Sequence, residues 1–255
     1  MNTMEITIPK TSAVMTALLR ADFTTLWRNR RAVVMVLLVP MIIVFSWKGL
    51  VATTGGAFVL ANAITLGLVA IGLMGYTNSI ARDREKGVFE RLRVSPLPLW
   101  TIMGSRLIVQ LTLILILTVV VFVSGYLFDN IIMSVGGYIF TSLASIVGGA
   151  VYLSLGQVIV GRIKNSETVN STARLIYIAF IIIGMFGQID YKDDFGIKFK
   201  KIVIWTPYGT VKDFVAASLE PSKWSNHTSM ALLVTLGYTI VFATLGIKWF
   251  KWNTK

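Results

Sequence analysis

Residues 57–98 read AFVLANAITLGLVAIGLMGYTNSIARDREKGVFERLRVSPLP, and the change of character at Ala81 decides the fold. No residue from Ala57 to Ile80 carries a charge, whereas most from Arg82 to Arg93 do. Crossing the hydrocarbon core as a helix takes about 20 residues at about 1.5 Å each, so 57–80 is long enough to span a bilayer. The charged run that follows at once is then a loop at the membrane surface.

Five further windows share the apolar character of 57–80. They cover 32–52, 107–128, 131–160, 168–188 and 230–247. Pro40 in the first predicts a kink, tolerated because neighbouring helices can satisfy the freed carbonyl. The window 131–160 exceeds a straight span, and Gly136-Gly137 or Gly148-Gly149 are the expected breaks. The fifth reaches full length only if it starts near Thr168 and Arg174 snorkels to the interface. The outer segment 189–229 contains Trp205-Thr-Pro207 and the apolar positions Val211, Phe214, Val215 and Leu219. That apolar stretch is too short to cross, so interfacial or re-entrant helices are expected there.

The composition agrees. Of 255 residues 55% are hydrophobic and 14% charged, with a mean hydropathy of +0.73, against about a quarter charged in soluble domains. The expected fold is an all-α integral membrane protein. One transmembrane domain over 1–255 has six spans, and a short amphipathic helix at 12–31 lies in the interface. On that helix Met15, Leu18, Leu19, Phe23, Leu26 and Trp27 share a face, which Asp22 interrupts. The leading residues lack the cleavage pattern of a signal peptide. With no cysteine, disulfides and thiolate metal sites are excluded.

The net charge of +12 would suggest nucleic acid in a soluble protein. In a six-span chain it tests orientation instead. Grouping the termini with the loops after spans two and four collects 17 of the 24 basic residues and 6 of the 12 acids, hence +11 on that side and +1 on the other. Both termini are therefore expected in the cytoplasm, in a multi-pass protein of the cell membrane, and no nucleic-acid partner is expected.

The loop after span two interleaves Arg82, Asp83, Glu85, Lys86, Glu90, Arg91 and Arg93 with Val88, Phe89 and Leu92. Those three apolar positions form a narrow stripe on a short helix, expected over 82–95 and closed by Ser95-Pro96-Leu97-Pro98. A mixed-charge helix with one apolar stripe is suited to docking on a soluble partner.

Here the sequence resembles the permease subunits of type-2 (ABC-2) exporters, of the drug-efflux kind. Glu85, Gly87, Glu90, Arg91, Leu92 and Pro96 follow the pattern of that family's loop. Trp205-Thr-Pro207-Tyr208 is similar to the segment such permeases carry before their last span. The resemblance implies a coupling helix, with Arg82, Asp83, Glu85, Gly87, Val88, Phe89, Glu90, Arg91, Leu92, Arg93 and Pro96 at the contact with a separate ATPase subunit in two copies. Residues 162–172 would make a smaller second contact. It further implies a second permease subunit, identical or paralogous, no catalytic residue and no cofactor on this chain, with ATP and magnesium on the partner. The cargo class suggested by nearly uncharged spans is a drug, peptide or lipid-like amphiphile. Export of a polysaccharide or glycolipid, and a toxin-immunity or sensing role, remain open alternatives.

Other motifs carry less. Leu153-Ser-Leu-Gly-Gln157 echoes the ATPase signature but sits inside an apolar window, and no phosphate-binding loop occurs. Asp190, Asp193 and Asp194 lack calcium-loop spacing. His227 is the only histidine, which excludes multi-histidine zinc sites.

Overall fold

The computed structural model describes residues 11–28, 30–93, 99–186 and 193–250, and these contain helices and no strand. In a bilayer each backbone group must be satisfied within its own segment or a closed barrel. Chains this apolar therefore fold as helices.

Helix α1 (Thr11–Arg28) leads into α2 (Arg30–Ser46). After α2 a 3₁₀ turn, Lys48–Leu50, and α3 (Val51–Thr54) complete the first apolar segment, bent by 48° at the break. The bend falls at Trp47, not at Pro40. Helix α2 runs through Pro40, whose ring packs toward Gly67.

The second span is continuous from Gly56 to Glu85. It comprises α4 (Gly56–Val69), a π-helical segment Ala70–Thr77, and α5 (Asn78–Glu85). A two-residue turn then leads to α6 (Val88–Arg93). The expected coupling helix is thus divided: 82–85 end the span, and only 88–93 form a separate helix.

Helix α7 (Leu99–Asp129) starts two turns earlier than its apolar window. Helix α8 (Val135–Arg162) is unbroken. Gly136-Gly137 lie in its first turn, where the Ser134 hydroxyl accepts from the Gly137 N–H at 3.0 Å, and Gly148-Gly149 lie within it. Helix α9 (Ser166–Phe186) leaves Arg174 exposed about two turns from its start. Two shorter helices follow, α10 (Asp194–Ile204) and α11 (Pro207–Leu219), and then α12 (Asn226–Trp249). Among the described residues five helices are long and apolar enough to cross a membrane, six if the bent pair is one span.

The second span is the axis of the bundle. Its most apolar window is 89% buried, against 22% for α9 and 17% for α12. Exposed apolar side chains on those two, such as Leu175, Ile178, Leu233 and Ile240, form a surface suited to lipid. Glycines let neighbouring helices approach the axis. A Cβ on Gly67 would lie 2.6 Å from Leu117, and one on Gly72 would lie 2.5 Å from Tyr152. On α8, Gly148 admits Val211 and Gly149 admits Ile114. The small residues are thus used for packing within the chain.

Helix α11 packs lengthwise on α8. It starts where the Tyr152 hydroxyl donates to the Pro207 carbonyl at 3.2 Å and ends where the Leu219 carbonyl meets Gly137. It therefore runs antiparallel along the half of α8 remote from Arg162, with Val211 and Val215 fully buried. Tyr208 in its first turn donates to Asn62 at 3.0 Å and covers Gly184. The Thr206 hydroxyl caps it by accepting from the Gly209 N–H at 3.2 Å. Asp193 caps α10 in the same way, through the Gly196 N–H at 3.1 Å. Asp190 lies outside the described residues.

Candidate functional site

The charged loop sits at the end of the bundle where α5, α7, α8, α9 and α12 meet, here called the basic end. Helix α5 stops because Lys86 and Gly87 form a cap. The Lys86 N–H donates to the Arg82 carbonyl and the Gly87 N–H to that of Arg84, both at 3.0 Å. Gly87 has φ +65°, a left-handed conformation that glycine adopts without penalty. The position that the sequence pattern requires to be glycine thus has a geometric reason. Arg91 braces the turn by donating from Nε to the Gly87 carbonyl at 3.3 Å and from Nη2 to the Lys86 carbonyl at 2.7 Å.

The apolar stripe of α6 faces the chain itself. Phe89 is fully buried, its ring edge-on to Phe250 at 5.9 Å between centroids, and Leu92 packs on the core with it. Val88 is half-buried. Expected as a docking stripe, these residues instead seat α6 against the end of α12. Arg82, Glu85, Lys86, Glu90 and Arg91 are exposed, so a partner arriving at this end meets a charged surface. Arg93 ends α6, and Pro96 lies outside the described residues.

Two basic residues at this end of the bundle bind the helices together. Arg84 is only 2% exposed. Its Nη1 donates to the Val160 carbonyl at 2.6 Å, and its Nη2 donates to the carbonyls of Ile163 and Lys164 at 2.6 and 2.8 Å. The last carbonyls of a helix have no partner within it and carry its negative dipole end, so one guanidinium satisfies the end of α8 and fixes the three-residue connection to α9. The smaller contact expected over 162–172 is therefore a short turn followed by the first turns of α9. Asn165 caps that helix by accepting from the Thr168 N–H at 3.0 Å.

Arg106 on α7 is the second clamp. It pairs with Asp83 of α5 and, at 3.2 Å, with Asp22 of α1. The Ser105 hydroxyl donates to Asp22 at 2.7 Å. Burial pushes the Asp22 carboxyl above the ordinary aspartate value, against the opposing pull of Arg106 and the Ser105 hydroxyl. The acid that interrupts the apolar face of α1 is thus its anchor. Val14, Leu18, Asp22 and Leu26 recur every four residues and face inward, while Trp27 is 67% exposed.

Sequence reasoning left Arg84 out of the candidate set, although a signal for it exists. Ile80, Ala81 and Arg84 continue the buried face of the preceding span at helical spacing, so the arginine falls on the side turned inward. The echo of the ATPase signature has a structural role. Gly156 lies against Thr77, and Gln157 accepts from the Tyr76 hydroxyl at 2.8 Å, which ties α8 to the π-helical segment. His227 lies beside Trp205 with the two rings tilted by 47° and 5.3 Å between their centroids.

A family model described as an ABC-2 family transporter protein matches residues 51–248, from α3 almost to the end of α12. None of the curated proteins compared matches the chain.

Proposed function

Since the chain belongs to the ABC-2 family of transporter proteins and is a membrane permease, we propose that it exports an amphiphilic substrate, driven by a separate ATPase subunit. Two copies of the ATPase act on two permease subunits in the cell membrane, with the basic end and both termini in the cytoplasm. ATP and magnesium on that partner supply the hydrolysis chemistry. The role of this chain is mechanical.

The observation that carries this reading is the seating of α6. Phe89 holds the helix on the bundle while Lys86, Glu90 and Arg91 face outward. Closure of the ATPase pair presses on that charged face. The load passes through the Gly87 turn into the second span, through Arg84 into α8 and α9, and through Asp83 and Arg106 into α7 and α1. Helices linked in this way move together, and the pathway between permease subunits opens outward. The exposed Glu85, Lys86, Glu90 and Arg91 form the contact, with 163–165 beside them. The low charge of the spans supports a drug, peptide or lipid-like cargo, since charge inside a bilayer is costly.

The test is co-purification of the ATPase subunit with this chain. Glu90→Arg and Lys86→Glu, which leave Phe89 in place, are expected to release the ATPase while the permease remains folded. ATP-dependent efflux of cargo from cells is expected to stop with it. Transport by the chain alone in liposomes without nucleotide would overturn the reading.

A further inference from the structure

Between α1, α2, the π-helical segment and α7 lies a cavity of about 100 Å³. One water occupies about 30 Å³ of liquid, so the volume suits a few waters or one small polar head. Its lining is graded along the helices. Asp22, Arg82 and Arg106 surround the side toward the basic end, whereas Val36, Met74 and Leu113 wall the deeper side. At Gly75, which also lines it, the nearest atom to an added Cβ is the helix's own Ala70 carbonyl at 3.9 Å. The π-helical turn therefore leaves the wall open there, as such segments do at many functional sites.

Two independent observations point to a ligand. Gln110 lines the cavity and is 8% exposed, and its Oε1 has no hydrogen-bond partner among the described residues. A buried acceptor left in that state costs about 1–3 kcal/mol, which a donor from a ligand recovers. The second observation is charge. The carboxylate that lines the cavity, Asp22, is taken up inside the protein by Arg106 and Ser105, and Asp83 of α5 pairs with the same Arg106. Arg82 is exposed at the mouth and makes no ion pair among the described residues. The cavity thus offers an uncommitted cation at its mouth, an uncommitted acceptor deeper in and apolar walls beyond. That order matches a phosphate, then a hydroxyl, then a hydrocarbon chain.

We propose that this cavity binds a single-chain amphiphile whose head carries a phosphate with a free hydroxyl below it, as in a lysophosphatidyl lipid. Arg82 donates to the phosphate, Gln110 Oε1 accepts from the hydroxyl, and the chain leaves along Leu26 and Val33 toward the lipid. This binding requires neither nucleotide nor an ATPase, so its failure and that of the transport reading are separate results.

The experiment titrates the purified full-length chain, in an uncharged detergent, with three probes followed by native mass spectrometry and thermal unfolding. Lysophosphatidic acid has phosphate, hydroxyl and chain; phosphatidic acid lacks the free hydroxyl; glycerol 3-phosphate lacks the chain. Lysophosphatidic acid is expected to bind at least tenfold more tightly than either. Arg82→Gln weakens its binding at least tenfold, whereas Arg20→Gln, which removes an exposed charge from α1 outside the cavity, leaves it unchanged. Gln110→Leu abolishes the preference over phosphatidic acid and raises the melting temperature of the free chain, since the unpaired acceptor is gone. Gln110→Glu keeps the size and an acceptor oxygen, and therefore keeps the preference. Equal binding of the two lipids, equal binding of glycerol 3-phosphate, or an unchanged affinity in Arg82→Gln would each overturn the proposal.

Discussion

The Arg84 guanidinium, at the end of the second span, donates to the main-chain oxygen of Val160, near the end of α8, at 2.6 Å. Its second nitrogen reaches Ile163 and Lys164, so one planar fork joins three carbonyls that no helix satisfies. Lysine has the charge without the fork. Arg84→Lys is therefore expected to lower stability, and Arg84→Ala to lower it further, on the order of 2 kcal/mol or more. Amide exchange at 163–165 should rise in both. Permease and ATPase should still associate while transport falls more than hydrolysis does; equal losses in both would refute the strut.

At Gly72 an added Cβ would meet the Tyr152 Cβ at 2.5 Å and its main-chain carbon at 2.6 Å. A backbone within a helix has no rotamer to change, so the two helices must separate. Gly72→Ala is expected to cost about 1–3 kcal/mol in detergent unfolding. Gly237 on α12 has nothing within 4 Å of such a Cβ. There the same substitution is expected to be neutral or to gain up to about 1 kcal/mol. Similar melting temperatures for the two variants would contradict the close crossing.

Much of this architecture is legible in the sequence because lipid leaves few options. Uncharged runs such as 57–80 and 230–247 can only be spans, and Gly87 with its flanking charges marks where the second span ends. What the sequence left hidden depends on distant neighbours. Periodicity showed that Val88, Phe89 and Leu92 share a face, but Phe250, which takes that face, is some 160 residues away. Asp22 read as a flaw in an amphipathic stripe because its partner Arg106 lies on another helix. The bend at Trp47 in place of Pro40 has the same origin, since Gly67 leaves room for the proline ring and the helix continues past it.

The buried stripe separates stability from association at α6. Phe89→Ala removes a fully buried ring and is expected to cost about 3–5 kcal/mol. Phe250→Ala should be less damaging once Phe89 is gone, with a coupling of about 0.5–1.5 kcal/mol for an edge-on pair. Lys86→Glu changes only exposed charge and should leave the melting temperature within about 0.5 kcal/mol equivalent of the parent. If Lys86→Glu unfolded the chain, or Phe89→Ala left it intact, the stripe would face outward after all.

The seat of α11 rests on a polar contact inside the bundle. Tyr208 donates to Asn62 Oδ1 at 3.0 Å, and both side chains are buried. Hydrogen bonds between membrane helices contribute about 0.6–2 kcal/mol, because the competing state also finds partners. Tyr208→Phe keeps the ring stacked on Phe180 and covering Gly184 and deletes only the donor. It is expected to cost an amount in that range, while Tyr208→Ala, which uncovers Gly184, should cost more. Paired with Asn62→Leu in a double-mutant cycle, Tyr208→Phe should give a non-additive result, since either change alone breaks the same bond. Trypsin cleavage at Lys212 is the second readout. In the parent Lys212 is held within α11, and loosening of the helix start should expose it. An additive cycle with unchanged cleavage would show that α11 is held by its apolar face alone, through Val211 against Gly148 and Leu219 against Gly137.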